Sequence, residues 1–133
     1  MDVSDVLYSP KAPMSDIFVI GLQEMVALKW DQVIKEKNRV RTAEWQEVLQ
    51  AALDKNSQGT RYIPIIQKVL VGCNIIMFIR DDLKRHLRNI RKFKVKTGFS
   101  GIAGNKGAVA LRFNFDFTSF VFINSHMESG QSQ

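Results

Sequence analysis

The sequence predicts a mixed α/β domain with a largely antiparallel sheet. Three observations carry that reading: an apolar run at 16–20 that ends on a glycine, an amphipathic stretch over residues 27 to about 55, and a series of β-branched and aromatic runs after it. Residues 1–15 hold Pro10, Pro13 and small polar residues without periodicity, and are expected to form a flexible lead-in to a domain spanning 16–133. Asp16-Ile17-Phe18-Val19-Ile20 reads as a buried strand. In the amphipathic stretch, Leu28, Val33, Ile34, Trp45, Val48, Leu49, Ala52 and Leu53 recur at helical spacing among charges, with Asn38 as a candidate break. Ser57-Gln58-Gly59 closes it. Strand composition follows at 62–70, 73–79, 92–97, 107–115 and 117–123, and the short connections between these runs predict a meander. Arg112, Asn114 and Asp116 alternate with Leu111, Phe113, Phe115 and Phe117, as a sheet with one solvated face requires. Between two of the runs, Asp81-Asp82-Leu83-Lys84-Arg85-His86-Leu87 fits a short helix whose acids favour its N-terminal end, with His86 expected at the surface.

At 133 residues and 45% apolar content, the chain is large enough to bury one core. No stretch approaches the roughly 20 apolar residues of a membrane span, and the start lacks the basic-then-apolar order of a signal peptide. A cytoplasmic location is expected. The lone Cys73, inside an apolar run, is expected to pack in the core and has no internal disulfide partner. A net charge of +6 favours a polyanion: nucleic acid, an anionic membrane surface or a phosphorylated small molecule. Much of the excess lies in 80–96, where Arg80, Lys84, Arg85, Arg88, Arg91, Lys92, Lys94 and Lys96 outweigh Asp81 and Asp82; such a run also serves as a plain solvated face.

Catalytic-type residues stand where apolar runs end. Glu24, just past Gly21-Leu22-Gln23, is held by the core yet lies at the rim of the sheet, where a single carboxylate suits a hard cation such as magnesium. The same position equally suits a helix cap, and Gln23 beside it reads as an orienting group or a surface amide. Gly98-Phe99-Ser100-Gly101-Ile102-Ala103-Gly104-Asn105-Lys106-Gly107 is rich in glycine and precedes a strand, so its backbone N–H groups and Lys106 can approach phosphate oxygens. It lacks the spacing and the following helix of a Walker loop, and it also reads as an ordinary hairpin. Phe99 and Ile102 are candidates for a lipid interface beside the basic run, or for packing back on the core. His126 suits proton transfer or hydrogen bonding to a phosphoryl oxygen, and Asn124, two residues before it, shares its face.

These residues resemble a known family. Asp16-Ile17-Phe18-Val19-Ile20-Gly21-Leu22-Gln23-Glu24-Met25-Val26, Lys96-Thr97-Gly98, the stretch from Gly104-Asn105-Lys106-Gly107 to Arg112-Phe113, and Ser125-His126 with Gly130-Gln131-Ser132-Gln133 resemble the inositol polyphosphate 5-phosphatases, in particular the synaptojanin-like branch. The motifs fall in register over 16–133. The resemblance implies a four-layer α/β sandwich of the DNase I-like type. It implies magnesium-dependent removal of the 5-phosphate from phosphoinositides or soluble inositol phosphates, with Glu24 on the metal, His126 at the scissile phosphate, and Asn105 and Lys106 in a loop facing substrate and membrane. A peripheral site at the cytosolic face of membranes follows from that substrate class, and nucleic acid becomes the less favoured partner.

Two departures shape the expectation. Nothing in 1–15 matches the Trp-Asn strand that precedes the first strand in the family, and the family's later Trp-x-Gly-Asp-x-Asn-Tyr-Arg, Pro-x-Trp-Cys-Asp-Arg and Asp-His segments lie beyond Gln133. The chain is therefore expected to be the N-terminal half of a catalytic domain, weakly active or inactive alone. Loss of a facing sheet would leave an apolar face open to water, a route to self-association through the exposed sheet. The competing reading is a non-catalytic phosphoinositide- or membrane-binding module.

Overall fold

A computed structural model describes residues 3–9, 11–23, 33–70, 73–98 and 103–127. Among them the chain forms α1 (Ser4–Leu7), β1 (Ile17–Gln23), α2 (Val33–Asn56), β2 (Tyr62–Leu70), β3 (Cys73–Arg80), a 3-10 helix (Asp81–His86), β4 (Leu87–Gly98), β5 (Ala103–Phe115) and β6 (Thr118–His126). The strands make two three-stranded antiparallel sheets, in the orders β1-β3-β2 and β4-β5-β6. This corrects the single meander: the run compositions are right, but composition does not name pairing partners, and β1 pairs with β3 although α2 and β2 lie between them in the chain. Only β4, β5 and β6 form a meander.

The sheets pack face to face. On β3, Ile75, Met77 and Ile79 join Val109, Leu111 and Phe113 of β5 in the core between the sheets, while Ile76 and Phe78 face the other way, toward α2. Burial on both faces is why 73–79 reads as an unbroken apolar run rather than an alternating one. α2 covers the first sheet by placing Leu49 and Leu53 against Tyr62, Ile76 and Phe78, and the Gln50 side-chain amide donates to the Tyr62 carbonyl at 2.9 Å. The helix runs through Asn38 unbroken, so that residue is no break. Its end is set by Gln58 (φ 49°) and Gly59 (φ 89°), which reverse the chain. Before β1, Val3, Leu7 and Met14 of the expected lead-in pack against the same cluster.

The expectation of an absent facing sheet is likewise corrected: both sheets are represented, and their inner faces bury each other. The apolar surface left open is the outer face of the second sheet, where register brings Phe93, Ala110 and Ile123 side by side; Phe93 is 51% and Ile123 67% exposed.

The chain changes sheets at Arg80. Its guanidinium pairs with Asp16 at 2.9 Å and Asp82 at 2.8 Å, and its N–H donates to the Asp16 carbonyl at 3.0 Å. Farther on, His86 Nδ1 lies 2.7 Å from the Asp116 carboxylate, and Asp116 N–H donates to the His86 carbonyl at 3.1 Å. His86 thus pins the β5–β6 turn to the 3-10 helix, in keeping with a structural surface role.

Gly107 explains one glycine of the rich segment. Its φ is 142°, and a Cβ there would stand 2.0 Å from the Val95 carbonyl oxygen. Gly107→Ala is expected to destabilise the fold by about 3 kcal/mol or more, read as a loss in thermal and denaturant midpoints; a change below about 0.5 kcal/mol would show that this close approach is not a constraint.

Candidate active site

The ends of β1 and β6, and the starts of β3 and β5, meet at one rim of the sandwich. β1 delivers Gln23 there because its apolar side chains are held in the two cores. β6 delivers Asn124 and His126, alternate residues that share the inward face with Phe122. β5 delivers Lys106, one residue before the register pair of Gly107 with His126.

Asn124 is the brace of this rim. Its side-chain amide donates to the Leu22 carbonyl at 3.0 Å and the Asn74 carbonyl at 2.8 Å, and its oxygen accepts from Gln23 Nε2 at 3.2 Å. Gln23 Nε2 also donates to the Ser125 carbonyl at 2.6 Å. One side chain therefore ties β6 to β1 and to β3, linking the two sheets. Gly21 makes room for it: a Cβ there would lie 3.0 Å from Asn124 Cγ. Below the brace, the Cys73 thiol donates to the Asn124 carbonyl at 3.4 Å. Burial pushes this thiol up, outweighing the backbone hydrogen bond from Val109 that lowers it, so Cys73 is protonated and inert at neutral pH, as its place in an apolar run predicts.

Above the brace, Lys106 Nζ lies 2.8 Å from His126 Nε2. An ammonium can only donate, so the imidazole accepts at Nε2 and carries its proton on Nδ1. The pair places a cation and a proton-transfer group at one point, the combination a phosphoryl group needs.

Of the residues singled out from sequence, Lys106, Asn124 and His126 are brought together. Glu24, Phe99, Ile102 and the side chain of Asn105 lie outside the described residues. Sequence reasoning missed the bracing roles of Gly21 and Gln23 and the pairing of Lys106 with His126. It also missed Asn74, fully buried, whose side-chain oxygen and nitrogen both lack a hydrogen-bond partner among the described residues. The signal was there to read: an amide between Cys73 and Ile75, inside an otherwise apolar strand.

The described residues hold no cluster of three or more His, Cys, Asp or Glu. Among the described residues this rim offers oxygen chemistry: the Asn74 amide, without a hydrogen-bond partner among them, and the backbone around it. Oxygen donors of this kind suit a hard cation that keeps most of its waters.

The model of the endonuclease/exonuclease/phosphatase family 2 matches residues 1–133. The chain belongs to this family. It is 34% identical over 125 residues to inositol-1,4,5-trisphosphate 5-phosphatase 1 of Schizosaccharomyces pombe, covering 93% of this chain and 12% of that protein. To synaptojanin-2 of Rattus norvegicus it is 42% identical over 119 residues, covering 90% of this chain and 8% of that one. Type IV inositol polyphosphate 5-phosphatase 9 of Arabidopsis thaliana is 32% identical, with 98% and 35% covered. The inositol polyphosphate 5-phosphatase domain of SPsynaptojanin, solved with inositol (1,4)-bisphosphate and calcium, superposes with a TM-score of 0.78 at 29% identity, over 97% of this chain and 37% of that one. The resemblance read from the motifs and the sandwich fold are both shown. The chain spans between 8% and 35% of the length of these three curated relatives.

If Asn124 braces the rim by donation, its near-isostere must fail. Asn124→Asp, which cannot donate to the Leu22 and Asn74 carbonyls, is expected to cost as much stability as Asn124→Ala, about 2–4 kcal/mol by chemical denaturation. A mild Asn124→Asp beside a costly Asn124→Ala would reduce the residue to filler.

Proposed function

We propose that residues 16–133 are the N-terminal half of a phosphomonoesterase domain that removes the 5-phosphate of phosphoinositides or inositol polyphosphates. One observation carries the reading: the Lys106–His126 pair stands at the rim where β1 runs out toward Glu24, in a chain whose named relatives are inositol polyphosphate 5-phosphatases. In this reading the Lys106 ammonium donates to a phosphoryl oxygen and offsets its charge, leaving His126 Nε2 to take up a proton there and, once protonated, to donate to the group. Asn105, next to Lys106 in sequence, would face the substrate, and Asn124 keeps the β6 end in register with the β1 end. Magnesium, with Glu24 as its carboxylate ligand, would supply Lewis-acid polarisation of the phosphoryl oxygens. Water adds to phosphorus in line as the bond to the inositol oxygen breaks, giving inorganic phosphate and a free 5-hydroxyl. The residues that would activate that water lie outside this chain in the proposed domain, so the chain alone is weakly active or inactive.

The charge pattern favours a membrane surface as the place of action. From Lys84 to Met127 the sequence holds nine lysines and arginines against Asp116 alone, and Arg88, Arg91, Lys92, Lys94 and Lys96 are exposed along β4. This is also the observation behind the alternative, a non-catalytic module that binds anionic lipid, with Phe99 and Ile102 as its lipid-facing residues. No described helix is long and apolar enough to cross a membrane. Peripheral association with the cytosolic face is the corresponding proposal.

Phosphate release from phosphatidylinositol 4,5-bisphosphate with magnesium, measured on the chain and on Glu24→Ala and His126→Ala, tests the reading. Low turnover abolished by either substitution is the expected result, and turnover indifferent to both would sink it. Zero turnover, joined to vesicle binding that fades as salt rises from about 0.05 to 0.5 M, favours the binding module.

A further inference from the structure

Charge, proline and bulges each spoil a strand as a template for further pairing, and proteins place them on edges that face solvent. The flank made by β2 and β4 carries all three. β2 holds Pro64, a register shift between Pro64 and Ile66, and Lys68, while β4 holds Arg88, Arg91, Lys92, Lys94 and Lys96. Another strand could add to this flank only by losing hydrogen bonds at β2 and burying charge at β4, so these residues mark it as a solvent-facing edge of the domain.

Register aims four lysines into the seam between the two sheets. Lys92 and Lys94 stand opposite Leu111 and Val109, and Lys68 stands opposite Ile75, all of which belong to the inner core; Lys96 continues the same alternation. The core ends at this edge, so the lysine stems carry their ammonium groups out along the flank. Lys92 Nζ reaches across to the Gln67 carbonyl of β2 at 3.5 Å, and Leu70 of β2 comes level with Lys96, both standing 3.0 Å from the point a Gly107 Cβ would occupy. β2 and β4 hold no Asp or Glu, and among the described residues none of the four lysines has a carboxylate partner. Elsewhere the molecule compensates its cations, Arg61 with Asp81 and Arg80 with Asp16 and Asp82. Guarding an edge needs charge of either sign, and mixed signs would guard it at less cost, because like charges side by side destabilise. The uniform sign of this seam therefore calls for an anionic partner.

We propose that the β2–β4 flank seats the domain edge-on against an anionic lipid bilayer, with lipid phosphates along Lys68, Lys92, Lys94 and Lys96. The inference deepens the membrane reading above and rests on it, but puts the contact on this seam instead of on Phe99 and Ile102. Lys92 to Lys96 covers about 13 Å of extended strand, more than the phosphates of one inositol ring can bridge, so a surface presenting many phosphates fits the line better than a soluble inositol phosphate. A single-stranded nucleic acid fits it less well, because such ligands stack their bases on aromatic rings beside the cations, and the aromatic of β4, Phe93, stands opposite Ala110 on the other face of the sheet. Lys96 is the register partner of Gly107, and Gly107 that of His126. The line of lysines thus ends beside the candidate site, and edge-on docking brings that rim to headgroup level.

Co-sedimentation of the chain with phosphatidylcholine vesicles holding about 30% phosphatidylserine tests the proposal. Leaving phosphoinositide out of the vesicles separates docking from turnover, which phosphate release reads on its own. The expected result is binding that Lys92→Gln/Lys94→Gln/Lys96→Gln weakens at least about thirtyfold. Lys11→Gln/Arg61→Gln/Lys84→Gln removes the same charge from exposed positions off the flank and should change binding by no more than about threefold. Hydrogen exchange on the vesicle-bound chain should show added protection in β2 and β4. No binding, an equal loss in both triple variants, protection confined to 98–107, or a single-stranded oligonucleotide held more tightly than the vesicles by the same lysines would each overturn the proposal. Should the variants fail to fold by circular dichroism, hydrogen exchange on the unaltered chain decides alone.

Discussion

Strand β3 is the constraint on which the other elements depend. Seven of its eight residues are buried, and its alternating side chains feed two cores, one against the second sheet and one against α2. Each large apolar side chain so buried contributes about 1.5–3 kcal/mol, which makes this strand the strongest single tie between layers. Because β1 and β2 both pair with β3, its position sets theirs. The rim where β1 ends is therefore placed by packing far from the chemistry.

At that rim the fold meets its polar requirements with very few groups. Asn124 spends both side-chain donors and an acceptor on holding strands together, and Gly21 is small so that it fits. His126 and Lys106 stand just beyond, positioned by elements that the brace has already locked. This is the arrangement expected of a preorganised site, in which the groups that touch a ligand sit on rigid strands and their neighbours keep them aimed. Asn74 is the exception: a fully buried amide without a hydrogen-bond partner among the described residues costs stability.

Charge and edge chemistry divide the molecule in a second way. The excess positive charge sits on the second sheet, chiefly β4, while β1 and β6 carry none. The flank that carries β4 is thus the cationic one.

The sequence alone determined the helical stretch, the strand runs, the packed cysteine and the family, because these depend on local composition, periodicity and motifs read in order. It placed β2 to the residue and put Lys106, Asn124 and His126 among the chemistry-bearing groups. It misjudged the meander and the break at Asn38. Strand partnership is a long-range choice that run composition leaves open, and tertiary packing overrides a weak local preference. Only the tertiary structure decided that Asn124 is a brace, that Gly21 exists to admit it, and that Lys106 meets His126. Each of these is a contact between residues from 20 to 103 positions apart, set by which strands β3 and β5 draw together and carrying no periodicity of its own.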